Sequence, residues 1–330
     1  MEFESQTLAQ SMVRLFMGYI PTRVIYVAAK LELTDHVGDD GASAPDLAQR
    51  LKVDPAALYR VMRVLAGLGV LRQSDNDRFY VTPFGATLRK DSPQSVRDYA
   101  IYSHEFIYDA FRGVAESVRT GKPLIDDFFN FLRANPEGEA IFHAAMSNRG
   151  RSETAAVLDA YKFSQPQTVV DVGGGNGGFL SAILASYEQV SGVLVDQPSA
   201  IEAARVGRGG PLPRCNLVAQ DFFEGVPPGG DTYILKRVLF DWTDEQTLHI
   251  LENCRQAMNG NTRLLIIEPL IGPPNEPCPA HLFDMTFLVT LHGRLRTADE
   301  YSGLLGQAGF RLQRVVPTES DVSIVEASVA

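Results

Sequence analysis

The run Gly173-Gly174-Gly175-Asn176-Gly177-Gly178 follows a short apolar stretch, Thr168-Val169-Val170-Asp171-Val172. Glycine at that density suits a loop that needs left-handed backbone and lets its peptide groups approach a nucleotide closely. Phe179-Leu180-Ser181-Ala182-Ile183-Leu184 then opens a helix, and the strand-loop-helix setting raises the pattern above a chance match. A second apolar run, Gly192-Val193-Leu194-Val195, ends in Asp196, 23 residues after Gly173. A carboxylate there is placed to accept both hydroxyls of a ribose.

NAD and S-adenosylmethionine both carry that ribose, and three features favour the sulfonium compound. Asp171, just ahead of the loop, attracts a cationic methionine end and repels a pyrophosphate. Asp221-Phe222 ends a third strand, Asn216 to Ala219, and offers a carboxylate to the adenine amino group and a ring to its face. The chain closes with Phe310 to Val316, a short turn through Thr318 to Asp321, and Val322 to Val329. Strands joined so tightly are antiparallel, unlike those of a plain dinucleotide fold.

These pieces occupy the second half of the chain, which splits near position 165. In the first half, Leu8, Met12, Leu15, Phe16, Tyr19 and Ile20 recur at helical spacing, and Pro21 marks a new helix start. Ala44-Pro45-Asp46 opens a helix, Val53-Asp54-Pro55 turns the chain, and a second helix runs through Tyr59, Met62 and Leu65. Val70-Leu71-Arg72 and Phe79-Tyr80-Val81, separated by Asp75-Asn76-Asp77, read as a two-stranded wing. The result is a winged helix-turn-helix, which serves DNA binding or dimerisation. Residues 1–100 hold 12 Lys plus Arg and 12 Asp plus Glu, and the whole chain carries a net charge of -10. DNA recognition wants a basic face, so the dimerisation reading is favoured and no nucleic-acid partner is expected.

Hydrophobic residues at 45% and charged residues at 21% are globular values and exclude a disordered or fibrous chain. The start MEFESQTLAQ lacks a cationic leader and no apolar run reaches membrane-span length, so a cytoplasmic protein with no membrane partner is expected. Cys215, Cys254 and Cys278 are too scattered for a disulfide framework or zinc ligands, and the six His show no metal-binding spacing. Aromatics from Tyr99 through Phe106, Phe111 and Phe129 to Phe142 leave room for an apolar pocket for a planar small molecule.

Three motifs together resemble the S-adenosylmethionine-dependent small-molecule O-methyltransferases, which include plant caffeate-type and bacterial antibiotic-pathway enzymes. They are Asp171-Val172-Gly173-Gly174-Gly175-Asn176-Gly177, Leu235-Lys236-Arg237-Val238-Leu239-Phe240-Asp241-Trp242 with Asp244-Glu245, and Asn253-Cys254-Arg255-Gln256-Ala257-Met258. The resemblance covers nearly the whole chain. It implies an α/β fold: a Rossmann-like methyltransferase sheet with a C-terminal antiparallel hairpin, plus a mainly helical winged-helix domain that makes a homodimer. The implied boundaries are 1–100 for dimerisation, 101–164 for a helical linker and pocket region, and 165–330 for the cofactor-binding catalytic domain.

The resemblance further places Asp171, Gly173 and Gly175 at the cofactor's methionine end, Asp196 at its ribose, Asp221 and Phe222 at its adenine, and Lys236 within reach. Phe142 and Met146, four apart on one helix face, match acceptor-pocket positions, and Asp284, Met285 and Leu288 fall in a segment that resembles the family's substrate wall. Two positions depart from the family. Its usual general-base His is here Phe240, which cannot accept a proton. Glu268 matches one of the two usual acids, but Leu295 stands at the other. His292 is a candidate substitute base.

The expected activity is methyl transfer to a hydroxyl of an aromatic or polyketide-like acceptor, in secondary metabolism, driven by proximity and alignment. Rival readings are a cofactor-binding relative with non-methylating chemistry, as among anthracycline-type members, and a ligand-sensing winged-helix regulator.

Overall fold

A computed structural model describes residues 7–125, 128, 131, 134–163, 165, 167–206 and 213–330. The first six residues and Phe129 lie outside these. The chain forms two compact units, Met1–Asp109 with Leu132–Arg149, and Ala110–Phe131 with Gly150–Ala330.

In the first unit, Ser43 and Asp54 cap the helices Ala44–Leu51 and Pro55–Gly67 through the N–H groups of Asp46 and Ala57, and Pro45 and Pro55 sit where no N–H is needed. Their apolar faces meet in a core of Leu47, Leu58, Met62, Leu65, Leu71 and Phe79. The wing has three strands rather than two: β1 (Ala42–Ser43), β2 (Leu71–Gln73) and β3 (Arg78–Val81), in the order β1-β3-β2. Two residues are too few for alternation to mark β1 in the sequence. The amino-terminal arm breaks between helices Leu8–Phe16 and Tyr19–Lys30, two residues ahead of the expected Pro21. Pro21 falls in the first turn of the second helix, where its missing N–H costs nothing.

The second unit is built on a seven-stranded sheet of β4 (Gln167–Val172), β5 (Val190–Asp196), β6 (Cys215–Ala219), β7 (Thr232–Lys236), β8 (Arg263–Glu268), β9 (Phe310–Pro317) and β10 (Ser323–Val329). Its order is β6-β5-β4-β7-β8-β10-β9. The first five strands are parallel, and β10 runs antiparallel between β8 and β9, as the short turn requires. Tyr233 and Leu235 enter one core with Leu264 and Ile266, whereas Ile234 enters another with Leu265 and Ile267. Apolar residues on both faces mark a sheet covered on two sides, hence the unbroken hydrophobic runs of the sequence. The strand order reverses at β4 and β7, so the carboxyl ends of these strands open a crevice suited to a ligand.

Candidate active site

The glycine loop leaves β4 at the reversal point. Gly173, Gly175 and Gly177 take φ of 69°, 60° and 73°, left-handed values that favour glycine. A Cβ on Gly174 would lie 2.5 Å from Asp171 Oδ2, so the loop folds directly over that carboxylate. At Gly175 nothing stands within 4 Å of an added Cβ, and the backbone there borders open space. Asp171 is only 1% exposed, and neither of its oxygens has a hydrogen-bond partner among the described residues. Burial, helped by the nearby Asp196 carboxylate, pushes its carboxyl up to about 7 against the pull of Lys236.

Asp196, the last residue of β5, is fixed at both oxygens: Gly175 N–H donates to Oδ2 at 2.7 Å and Gln197 N–H to Oδ1 at 2.7 Å. Beyond β6, Asp221 accepts from Phe223 N–H at 2.9 Å and from the Gln197 side chain at 3.1 Å. The Phe222 ring edge lies 3.5 Å from where a Gly173 Cβ would be, and it packs edge-on against Trp242. The structure therefore gathers Asp171, Gly173, Gly175, Asp196, Asp221 and Phe222 at the ends of three adjacent strands.

Lys236 closes β7, and its Nζ pairs with Glu153 at 3.0 Å and lies 5.8 Å from the centroid of the Phe179 ring. It is thus held at the site's edge rather than dangling as a surface charge. Glu153, on the helix Pro136–Ala160, also takes Arg237 at 2.6 Å. Burial alone would raise the Glu153 carboxyl, but the two cations overcome it and hold it at about 2. Nothing in the sequence singles Glu153 out, because its partners lie 83 and 84 residues away.

The segment after β7 carries Phe240, whose ring lies 4.9 Å from Phe287 and 6.3 Å from Phe283. Phe240 and Leu295, the two departures from the family pattern, share one buried cluster with Ala280 and Phe287. A carboxylate at 295 needs a partner that Phe240 does not offer, so the two replacements belong together. Glu268 Oε1 accepts the N–H groups of Val238, Leu239 and Phe240 at 3.0, 2.7 and 3.3 Å, and its Oε2 accepts from the Tyr301 hydroxyl.

From the other side Arg296, fully buried and paired with Asp244 at 2.8 Å, donates to the carbonyls of Leu239 and Trp242. The segment is clamped at its donors and its acceptors. Sequence reasoning missed Arg296 and Tyr301, because Arg296 stands in a polar stretch with Arg294 and His292 beside it and nothing local marks which cation is buried.

Asp284, Met285 and Leu288 lie half-buried on the helix Pro279–Thr290, where Asp284 accepts the Leu295 N–H at 2.6 Å. His292 is exposed, beside Gly293, whose backbone lies against that of Phe240 and Asp241. Phe142 and Met146 belong to the first unit, where the Phe142 ring lies 5.4 Å from Tyr102. Among the described residues no His, Cys, Asp and Glu cluster could hold a metal.

Residues 107–311 match the O-methyltransferase domain and residues 13–91 the O-methyltransferase dimerisation domain. The chain is 39% identical to the phenazine O-methyltransferase PhzM of Lysobacter antibioticus over 97% of its own length and 96% of the relative's. The solved structure of CalO1, a methyltransferase in calicheamicin biosynthesis in SAH-bound form, superposes with a TM-score of 0.89 at 32% identity, covering 99% of this chain and 100% of that one. NcsB1, an O-methyltransferase from neocarzinostatin biosynthesis solved with S-adenosylmethionine and 2-hydroxy-5-methyl naphthoic acid, superposes at 0.77 with 29% identity, covering 94% and 96%. With both of its domains matched in order and its length almost wholly covered, the chain belongs to the O-methyltransferase family that carries an amino-terminal dimerisation domain.

Proposed function

We propose that this protein transfers a methyl group from S-adenosylmethionine to a hydroxyl of an aromatic or polyketide-like small molecule, without a side-chain base at position 240. The observation that carries the reading is Asp171, a carboxylate sealed beneath the glycine loop with no hydrogen-bond partner among the described residues. Such a group feels Lys236 only through space and has no bonded partner, and a cationic methionine end supplies one.

The other residues fit the same ligand. Asp196, oriented by two N–H groups, holds the ribose, Asp221 and Phe222 hold the adenine, and Gly173 and Gly175 let the backbone approach. Lys236 borders the methionine end. The bound cofactor supplies an electrophilic methyl on a sulfonium centre.

The chain's own contribution is alignment in a dry setting. Phe240, Met285 and Leu288 form the acceptor's apolar surroundings, and Asp284 fixes the loop that bears Leu295. Displacement at a methyl carbon gains several kcal/mol from proximity and in-line orientation. A base adds roughly 10² to 10⁴ where the nucleophile is poorly ionised. The acceptor is accordingly one that ionises unaided. Glu268, committed to three backbone N–H groups and Tyr301, positions the Phe240 segment rather than taking a proton.

Residues 1–100 make the homodimer, 101–164 link the domains and line the pocket, and 165–330 form the catalytic domain of a cytoplasmic enzyme. His292→Ala tests the mechanism: turnover is expected to fall by less than about 10²-fold. Collapse of turnover with cofactor and acceptor affinities intact identifies His292 as a relocated base instead.

A further inference from the structure

Arg237 is the residue at this end of the sheet that the reaction as described leaves without a task. It follows Lys236 directly and takes a φ of 57°, a left-handed conformation uncommon for a residue other than glycine and typical of sites where local strain is kept for function. Glu153 fixes it through Nε at 2.9 Å and Nη2 at 2.6 Å, and Nη2 also reaches Asp321 at 3.3 Å. That leaves the Nη1 edge. Its two N–H groups bond to nothing among the described residues, and the atom is not sealed from solvent.

The guanidinium carbon lies 5.7 Å from the centroid of the Phe240 ring and 5.8 Å from that of Phe283. A rigidly held cation with an open donor edge therefore stands against the ring that replaces the usual base. Arginine presents such an edge to planar anions in a fixed geometry, which a flexible ammonium does not.

We propose that Arg237 is a specificity-determining residue that binds a carboxylate carried on the acceptor's aromatic ring. This rests on the methyl-transfer reading above and names its substrate class, a hydroxyarene carboxylate. Glu153 keeps the guanidinium in place and balances its charge while the acceptor is absent. The ring of such an acceptor lies along Phe240 and Phe283, and its carboxylate meets Nη1.

The test is calorimetric binding of 1-hydroxy-2-naphthoate and of 1-naphthol to the full-length protein in the presence of S-adenosylhomocysteine. The wild type is expected to prefer the carboxylate by at least about tenfold, the worth of a charge-assisted hydrogen bond. Arg237→Gln removes the preference. The double variant Glu153→Gln/Arg237→Gln, in which Glu153 is not left as a buried carboxylate short of one of its two cations, also removes it and guards against loss of fold in the single variant. Equal affinities in the wild type, no measurable carboxylate binding up to millimolar concentration, or a preference that survives in the double variant overturns the proposal. Absence of S-adenosylhomocysteine binding to the wild type overturns the methyl-transfer reading beneath it.

Discussion

Asp171 couples the site to pH. Its carboxyl is raised from 3.8 to about 7, so between these values the folded protein keeps a proton that the unfolded chain has released. The contribution of this group to stability therefore falls as pH rises through that window. A bound cation reverses the bias and drives the proton off. At about pH 6, S-adenosylmethionine binding is expected to release protons, seen as a binding heat that changes with the buffer's ionisation enthalpy. Asp171→Asn should bind weakly and show no such dependence, and an unchanged dependence would contradict the role given to this carboxylate.

Phe240 invites a second experiment at the same scale. Phe240→His alone puts an imidazole among Phe287, Ala280 and Leu295, with Glu268 already committed to three backbone N–H groups and Tyr301, at a cost of about 1–3 kcal/mol for an unpaired buried polar group. Little acceleration is expected. Phe240→His with Leu295→Glu restores an orienting acid and should speed methylation of weakly acidic phenols by roughly 10²-fold or more. Initial rates on two phenols of different acidity read the difference, and equal gains on both would speak against an acceptor-ionised mechanism.

At the scale of elements, the short turn Leu239–Asp241 is shaped by contacts from β8, the helix Ala298–Gln307 and the loop around Arg296. Gly293 belongs to that loop, and a Cβ there would lie 1.9 Å from the Phe240 carbonyl oxygen and 2.4 Å from the Asp241 carbonyl carbon. Both are backbone atoms that cannot swing aside. Gly293→Ala is expected to destabilise the protein by about 1–3 kcal/mol, as overpacking does. It should also lower turnover by more than tenfold, because a displacement of about 1 Å near reacting atoms has effects of that size. Thermal unfolding and steady-state rates measure the two, and wild-type turnover in the variant would remove the segment from the positioning argument.

Across the whole molecule, assembly turns on the amino-terminal arm. Leu8 is 92% exposed, Leu15 62% and Phe16 71%, so the helix Leu8–Phe16 presents a continuous apolar side to its surroundings. Patches of this kind are covered in oligomers. Light scattering should report a mass near twice 36.2 kDa. Leu15→Asp with Phe16→Asp should shift that mass toward the monomer, whereas a wild type that stays monomeric at micromolar concentration would separate this chain from the dimerisation domain it matches.

Much of this architecture is legible in the amino-acid sequence. Unbroken apolar runs, a glycine loop between strand and helix, and acids at the ends of successive strands follow local rules of period and turn geometry, so the sheet, its closing hairpin and the residues proposed for the cofactor can be read in order. Phe240 and Leu295 are visible there as departures one position at a time. Their membership in one buried cluster is not, since 55 residues separate them.

The same holds for Glu153 between Lys236 and Arg237, and for Glu268 and Arg296 on either side of one turn. Periodicity says which face of an element is apolar, but it carries no information on which distant charge meets which. Pairing of buried ions is settled by the three-dimensional path of the chain, because only there does leaving one unpartnered carry its full desolvation cost. Local pattern alone is enough for the fold class, the order of the residues proposed to bind the cofactor, and Phe240 at the position where a His is usual. It takes the folded chain to occupy Glu268 with backbone N–H groups and to hold Arg237 rigid with one edge open beside Phe240.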